Sequence, residues 1–377
     1  MLKRIGISLV LLFIFIWLIW SYSGRKTPVD PPKIFLSLVQ DINPNDTLKN
    51  NLVGIQPYME EADFVLQERY KNKLGLYMAE AKKSDLIKTN TLVVFPENIG
   101  TWLILVDEKH SLASKTRLED AKATLIWSNI FDFSLAYLRS DEEDRSMAAV
   151  FRMKAKNMAE AYFDTFSSLA QQYQTYIVAG SIILPRPSVV EGEIYIDITE
   201  PLTNVSFVFG PDGKIIGNPI IKEHSGVFDD LLLNLVQSEN HEVFDLPVGK
   251  TSILLNEDAW FEDSYQLIKN STPAVILNPS FSPGINSMAE PWEGFGISSP
   301  PTDVDSTDLG NITLIEAIEK YSLPKKIYET NAPVGMTLFL KGEFWDLGAS
   351  GQPIFIHKGD SITIQNADLG GVWSLSF

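Results

Sequence analysis

The stretch Ser252-Ile253-Leu254-Leu255-Asn256-Glu257-Asp258-Ala259-Trp260-Phe261 changes character at its midpoint. Its first half is a short apolar run of the kind that makes a buried strand. Its second half opens with an amide and two acids. Asn256 to Asp258 suit an Asx turn or the N-cap of a helix starting near Trp260. The place also matters, because open α/β sheets bind ligands beyond the carboxyl ends of their strands.

Outward from this point, strands and helices alternate. Leu52 to Met59 reads as a strand, and Glu61 to Lys83 as a helix with apolar residues recurring at roughly three-and-four spacing. Thr91 to Phe95 is a buried strand that stops at Pro96. Phe151 to Gln174 is an amphipathic helix leading into the strand Tyr176 to Gly180. Val205 to Phe209 and Lys214 to Gly217 flank Pro211-Asp212-Gly213, a hairpin signal. Ser252 to Leu255 and Ala274 to Asn278 add strands, with a helix around Tyr265 to Asn270 between them. A helix from Leu314 to Tyr321 follows, and Thr337 to Phe377 reads as successive strands. Strands separated by helices predict a layered α/β fold, and the hairpin makes its sheets mixed. Two irregular segments stand out. Trp102 to Ala149 carries the acidic patch Asp141 to Asp144, and Ser282 to Asp308 is a Pro/Gly/Ser/Asp-rich loop.

The 377 residues carry a net charge of −17. The first 26 hold four cations and no acid, which leaves −21 on the rest. An acidic body argues against non-specific binding to nucleic acid or anionic lipid. The chain has no cysteine, so disulfides, thiolate metal sites and thiol catalysis are excluded. Its four histidines lack the close helical spacing of a zinc site, so neither metal nor cofactor is expected.

Ile5 to Trp20 is uncharged. Sixteen helical residues rise about 24 Å, and Ser21 to Ser23 extend the run toward the roughly 30 Å hydrocarbon layer. Trp17, Trp20 and Tyr22 sit where an interfacial aromatic belt belongs. An uncleaved anchor is preferred to a cleaved signal peptide with Ser21 and Ser23 as the small residues before the cut, and either places the body outside the cytoplasm. The expected organisation is an anchor at 1–26, a spacer and lead-in at 27–50 and a domain at 51–377 with a helical insertion at about 102–149.

Two further residues are candidates for chemistry. Glu97, in Phe95-Pro96-Glu97-Asn98, follows a buried strand and suits a general base, or simply a cap. Lys222, just past the hairpin, suits oxyanion stabilisation, or is an ordinary surface lysine. Their order, with the IVAGSI strand at Ile177, the NVSFVFGPDGKIIG hairpin, the polar elbow at Asn256, NPSF after Leu277 and N-x-x-x-G from Asn331, resembles the nitrilase superfamily of carbon–nitrogen hydrolases. The resemblance runs from about Leu52 to His357. It implies an α-β-β-α sandwich of the nitrilase type with mixed sheets, and a site joining a glutamate, a lysine and a cysteine. Glu97 matches the glutamate and Lys222 the lysine. Glu239 or Glu242 is a weak counterpart of a second glutamate. The family also implies a possible homodimer.

At the nucleophile the match breaks. Asn256 stands where the resemblance places the cysteine, while Asp258, Phe261 and Asp263 keep the motif's residue types. A carboxamide nitrogen has its lone pair delocalised and no proton loss near neutral pH, so Glu97 cannot activate it. Two readings follow. One is a membrane-anchored, extracytoplasmic nitrilase-like domain, inactive as a thiol amidase, binding a small amide-like ligand or a protein partner in the relict site. The other is an amide or nitrile hydrolase, or an N-acyltransferase-like enzyme, using Glu97 and Lys222 without a cysteine. The apolipoprotein N-acyltransferases that such placement resembles carry several membrane helices and the cysteine. The apolar middle of the insertion, Ala123 to Leu138, is expected to be core or a lid over the pocket, the alternative being a docking surface. Asn45, Asn204, Asn270 and Asn311 lie in glycosylation sequons.

Overall fold

The computed structural model describes residues 2–44, 48–226, 228–230, 232–233, 241–295 and 300–377. Eight helices are labelled in chain order: α1 (Leu2–Tyr22), α2 (Gln67–Lys83), α3 (Leu118–Ser128), α4 (Ile130–Arg139), α5 (Arg145–Tyr173), α6 (Glu262–Lys269), α7 (Leu314–Tyr321) and α8 (Leu323–Lys326).

Two mixed sheets form the interior. Across the first, the strands run Leu36–Asp41, Gly370–Ser376, Asn50–Gln56, Asn90–Val94, Tyr176–Val178, Leu202–Phe209 and Ile215–Ile221, with Ile182–Pro185 also pairing on Leu202–Phe209. The second runs Val243–Leu246, Gly249–Ile253, Val275–Ser280, Val334–Phe339, Ile354–His357 and Asp360–Ile362. Side chains alternate across a strand, so neighbouring apolar residues enter different layers. Leu52, Leu92 and Val94 meet Ile253, Leu255, Val275 and Leu277 between the sheets. Val53, Ile55 and Val93 face the other way, onto Leu74, Met78, Met158 and Phe166 of α2 and α5. Leu254 and Ile276 pack outward on Tyr265, Ile268, Leu323 and Ile327. These runs are apolar at every position because both faces of each strand are covered. The result is the expected α-β-β-α sandwich.

Several boundaries differ from the sequence reading, each for a physical reason. Pro57 divides the first predicted strand into Asn50–Gln56 and Tyr58–Glu60, since proline offers no N–H to a ladder. The helix expected from Glu61 starts as a 3₁₀ turn, Glu61–Phe64, and α2 begins only at Gln67. Buried Asp63 holds that turn against α2 by pairing with Lys73 at 2.9 Å and Arg69 at 3.2 Å. Helix α5 starts six residues earlier than the apolar pattern, at Arg145, because Asp144 caps it by accepting the Met147 N–H at 3.0 Å. The lead-in supplies a strand, Leu36–Asp41, which pairs with the last strand of the chain.

Most useful for function is the carboxyl edge of the parallel strands. Asn50–Gln56, Asn90–Val94 and Tyr176–Val178 run parallel in one sheet, as do Gly249–Ile253, Val275–Ser280 and Val334–Phe339 in the other. The loop after Val94 is locked to the loop after Val178. Ser181 Oγ accepts the Asn98 N–H at 2.8 Å, and its carbonyl accepts the Gly100 N–H at 2.9 Å. Gly180, with φ of +69°, makes the approach possible: a Cβ there would stand 2.1 Å from the Pro96 carbonyl oxygen. Gly180→Ala is therefore expected to cost about 1–3 kcal/mol or more, read as a lower denaturant midpoint with unchanged slope.

Candidate functional site

Glu97, Lys222 and Asn256 arrive from three distant parts of the chain. Glu97 follows the strand Asn90–Val94 and is fully buried. Lys222 follows the strand Ile215–Ile221, and its N–H donates to the Asn204 carbonyl at 2.9 Å. Asn256 opens the 3₁₀ turn that succeeds Gly249–Ile253. Its φ of +43° is left-handed, a conformation asparagine adopts more readily than most residues. The strand-to-helix turn is thus a sharp elbow that presents one side chain at the sheet edge.

All three line one cavity of about 350 Å³, within the usual span of small-molecule pockets. Its floor is charged. Lys222 Nζ lies 2.9 Å from Glu97 Oε1, 2.8 Å from Asp229 Oδ2 and 2.5 Å from Glu257 Oε2. Asn204 Nδ2 donates to the same Glu97 oxygen at 2.8 Å. Glu97 Oε2 has no hydrogen-bond partner among the described residues. The walls are aromatic: Trp260 stacks on Trp292 at 5.4 Å, and Phe295 stands edge-on to both. Trp292 and Phe295 belong to the loop after Ser282, so the irregular segment of the sequence is a pocket wall.

One ammonium faces three carboxylates, and the titration of the site follows from that excess. Burial alone would lower the Lys222 pKa, but Asp229, Glu257 and Glu97 together hold it well above its ordinary value. Burial raises Glu97 well above the ordinary carboxyl range; Lys222 opposes the shift, while Glu257 and Asp229 add to it. Burial likewise pushes Glu257 up to about 7, against the pull of Lys222 and with the repulsion of Asp229. Burial and carboxylate repulsion thus favour the neutral form of both acids, and the Lys222 ammonium favours the charged one.

Asn256 does not hold the Glu97–Lys222 pair. Its Nδ2 donates to the Phe281 carbonyl at 2.9 Å, fastening the elbow to the end of the neighbouring strand. Asn278, of the NPSF segment, completes the clasp by donating to the Leu254 and Asn256 carbonyls at 2.9 and 3.1 Å. The partner of Lys222 from the elbow is Glu257, the next residue. Gly226 makes room for it, since a Cβ there would come within 1.9 Å of Glu257 Oε1. Asp258 joins the elbow to the lysine loop by accepting the N–H groups of Glu223 at 3.0 Å and His224 at 2.8 Å. His224 also stacks flat on Phe261 at 3.7 Å.

Three members of the site escaped the sequence reading. Asp229 lies only seven residues past Lys222, a reach that a short acidic loop advertises. Glu257 was read only as part of a turn. Asn204 was read as a sequon, yet it is fully buried against Glu97. Of the second-glutamate candidates, Glu239 lies outside the described residues, and Glu242 instead accepts the Asn218 N–H at 2.8 Å. No group of three or more His, Cys, Asp or Glu suited to a metal ion occurs among the described residues.

The architecture is that of the nitrilase-superfamily amidases. A double mutant of the amidase from Nesterenkonia sp. AN1, solved in complex with acrylamide, superposes with a TM-score of 0.52 at 10% identity, covering 89% of this chain and 92% of that one. A further mutant of the same amidase, described as from the nitrilase superfamily, matches with a TM-score of 0.52 at 10% identity, over 88% and 91%. Another structure of that enzyme shows covalent addition of the acetamide moiety of fluoroacetamide at its active-site cysteine. No family model and no curated protein matches the sequence. The similarity is one of fold.

The raised Glu257 pKa carries a sign. A carboxyl whose folded pKa exceeds its usual 4.5 adds stability below that value and loses it as pH rises through about 7. In Glu257→Gln this loss is absent. The stability of the variant relative to the parent should therefore climb between pH 4.5 and 7, measured by denaturant unfolding across that window. Lys222→Met, which strands the carboxylates, should cost about 3–5 kcal/mol near neutral pH and less in acid.

Proposed function

We propose that this chain is a membrane-anchored, extracytoplasmic nitrilase-like domain that binds a small amide-like ligand and does not run thiol amidase chemistry. The observation that carries the reading is an open cavity with an intact Glu97–Lys222 pair at 2.9 Å and an asparagine at the elbow. Without a thiol no thioester forms, and the chain has no cysteine to lend. What remains suits recognition. Glu97 offers one oxygen without a hydrogen-bond partner among the described residues, Lys222 a fixed ammonium, and the indole wall a surface for an apolar body.

Anchoring rests on α1. Lys3–Tyr22 is the one helix among the described residues long and apolar enough to cross a membrane, with mean hydropathy 2.4. Its end is seated on the body. Lys109 Nζ bonds the Trp20 carbonyl and, at 2.8 Å, that of Ser23, placing a cation at the helix C-terminus. Arg25 pairs with buried Glu108 at 3.1 Å, and Ser21 Oγ donates to the Ser128 carbonyl. Cleavage after Ser23 would forfeit the Lys109 and Ser21 contacts, leaving only that of Arg25, which favours an uncleaved segment.

The full-length protein is expected to turn over neither amides nor nitriles, while saturating primary amide raises its thermal midpoint. Asn256→Cys should become the single site of alkylation by iodoacetamide, at a stability cost of about 1 kcal/mol for the lost bond to Phe281. Turnover by the parent that disappears in Glu97→Gln would overturn the binding reading.

A further inference from the structure

The insertion does not close over the pocket: none of Ala123 to Leu138 lines the cavity. One side of it belongs to the core. Ala121, Leu125 and Ala136 are buried, and Ile126 and Phe133 pack against the same cluster. The opposite side is also apolar and has no cover. Trp127, Phe131, Leu135 and Leu138 are 62, 63, 58 and 75% exposed. Phe131, Leu135 and Leu138, spaced four and three, share one face of α4, and Trp127 at the end of α3 adjoins them through Trp17, which meets both it and Phe131. Asp132 and Arg139 lie about a quarter turn to one side, flanking the stripe and leaving its centre uncharged. Such a stripe exposes on the order of 400 Å² of apolar surface, at the upper end of what a water-facing monomer tolerates.

The stripe is continuous with α1. The Trp17 ring meets Phe131 edge-on at 5.2 Å, and Trp17 Nε1 donates to the Trp127 carbonyl at 3.0 Å. Trp17 is five residues before Tyr22, where the membrane-spanning stretch ends, so the contact lies about 7.5 Å inside that end. Amphipathic helices that lie in the plane of a bilayer sit about 5–10 Å into the headgroup and acyl boundary. Two independent features, the depth of the Trp17 contact and the facing of the uncovered stripe, therefore coincide.

We propose that α4, with Trp127, is a second membrane element: an in-plane helix whose stripe inserts into the bilayer interface beside α1 and fixes the orientation of the domain on the membrane. This rests on the anchored reading of α1. The contacts at the end of α1 hold the body to that helix, and a second contact from the insertion fixes the tilt of both on the membrane. The acidity of the body makes hydrophobic insertion, and not attraction to anionic headgroups, the source of the contact.

The absence of cysteine makes the test direct. Single variants Leu135→Cys, Leu138→Cys, Leu11→Cys within α1 and Tyr328→Cys on the opposite helical layer each carry one nitroxide, with the full chain reconstituted into phosphatidylcholine vesicles. Collision with oxygen reports lipid, and collision with a water-soluble nickel chelate reports solvent. The Leu135 and Leu138 labels should lose collision with nickel, keep collision with oxygen and read shallower than the Leu11 label, while the Tyr328 label stays aqueous. Aqueous labels at 135 and 138 beside a lipid-embedded label at 11 would overturn the in-plane helix and leave the anchor standing. Labels at 135 and 138 shielded from both reagents would mean that a second copy or another protein covers the stripe, which also overturns it. An aqueous label at 11 would remove the anchor itself, and the inference with it.

Discussion

The site depends on one buried ammonium. Lys222 is bound on three sides by carboxylates from separate segments: Glu97 after a strand of the first sheet, Asp229 from the loop that follows Lys222, and Glu257 from the elbow of the second sheet. A charge buried without partners costs several kcal/mol, so each carboxylate is held where it is by the same ion. That ion also couples the two sheets at their carboxyl edges, where hydrophobic packing between the layers gives way to open space. The polar floor is paired through Lys222 except at Glu97 Oε2, and the aromatic wall shapes the volume above it.

Replacing a thiol-bearing residue by asparagine in such a place changes what the neighbours must do. A thiolate would add one more negative charge beside three carboxylates. Asn256 adds none, and its amide fastens the elbow to Phe281. The left-handed backbone at this position suits asparagine as well, so the elbow keeps its shape without strain. The geometry of the turn and the chemistry of the side chain it presents are thus separable. The first rests on hydrogen bonds from the Asn278 side-chain amide to the Leu254 and Asn256 carbonyls, and the second is free to differ.

Sheet membership was legible in the sequence where apolar runs were short and bounded, as at Thr91 to Phe95 and Ser252 to Leu255. The helices were legible where a 3.6 period was clean, as at Leu314 to Tyr321, which α7 matches. What the sequence hid was long-range. Nothing local indicates that the last strand, Gly370–Ser376, returns to lie between Leu36–Asp41 and Asn50–Gln56 in the first sheet. Nor does a sequon reveal that Asn204 is buried against a carboxylate 107 residues earlier. Glu97 and Lys222 were found because each ends a recognisable strand, whereas Glu257 and Asp229 act only through the ion they share. Asn256 lines the cavity, and no local pattern shows that its amide reaches the backbone of Phe281 after the next strand.

The insertion shows how an apolar run can be ambiguous for a physical reason. Ala123 to Leu138 carries apolar residues on more than one face, which in a water-soluble helix means burial on both. Here one face meets α5 and the core, and the other, apart from its contact with Trp17, is exposed among the described residues. A helix satisfied on one side by protein and on the other by hydrocarbon has the same composition as a core helix. Only its position relative to α1 tells the two apart. Under the anchored reading Trp17 supplies that position, because it touches Phe131 and lies in the helix long and apolar enough to cross a membrane.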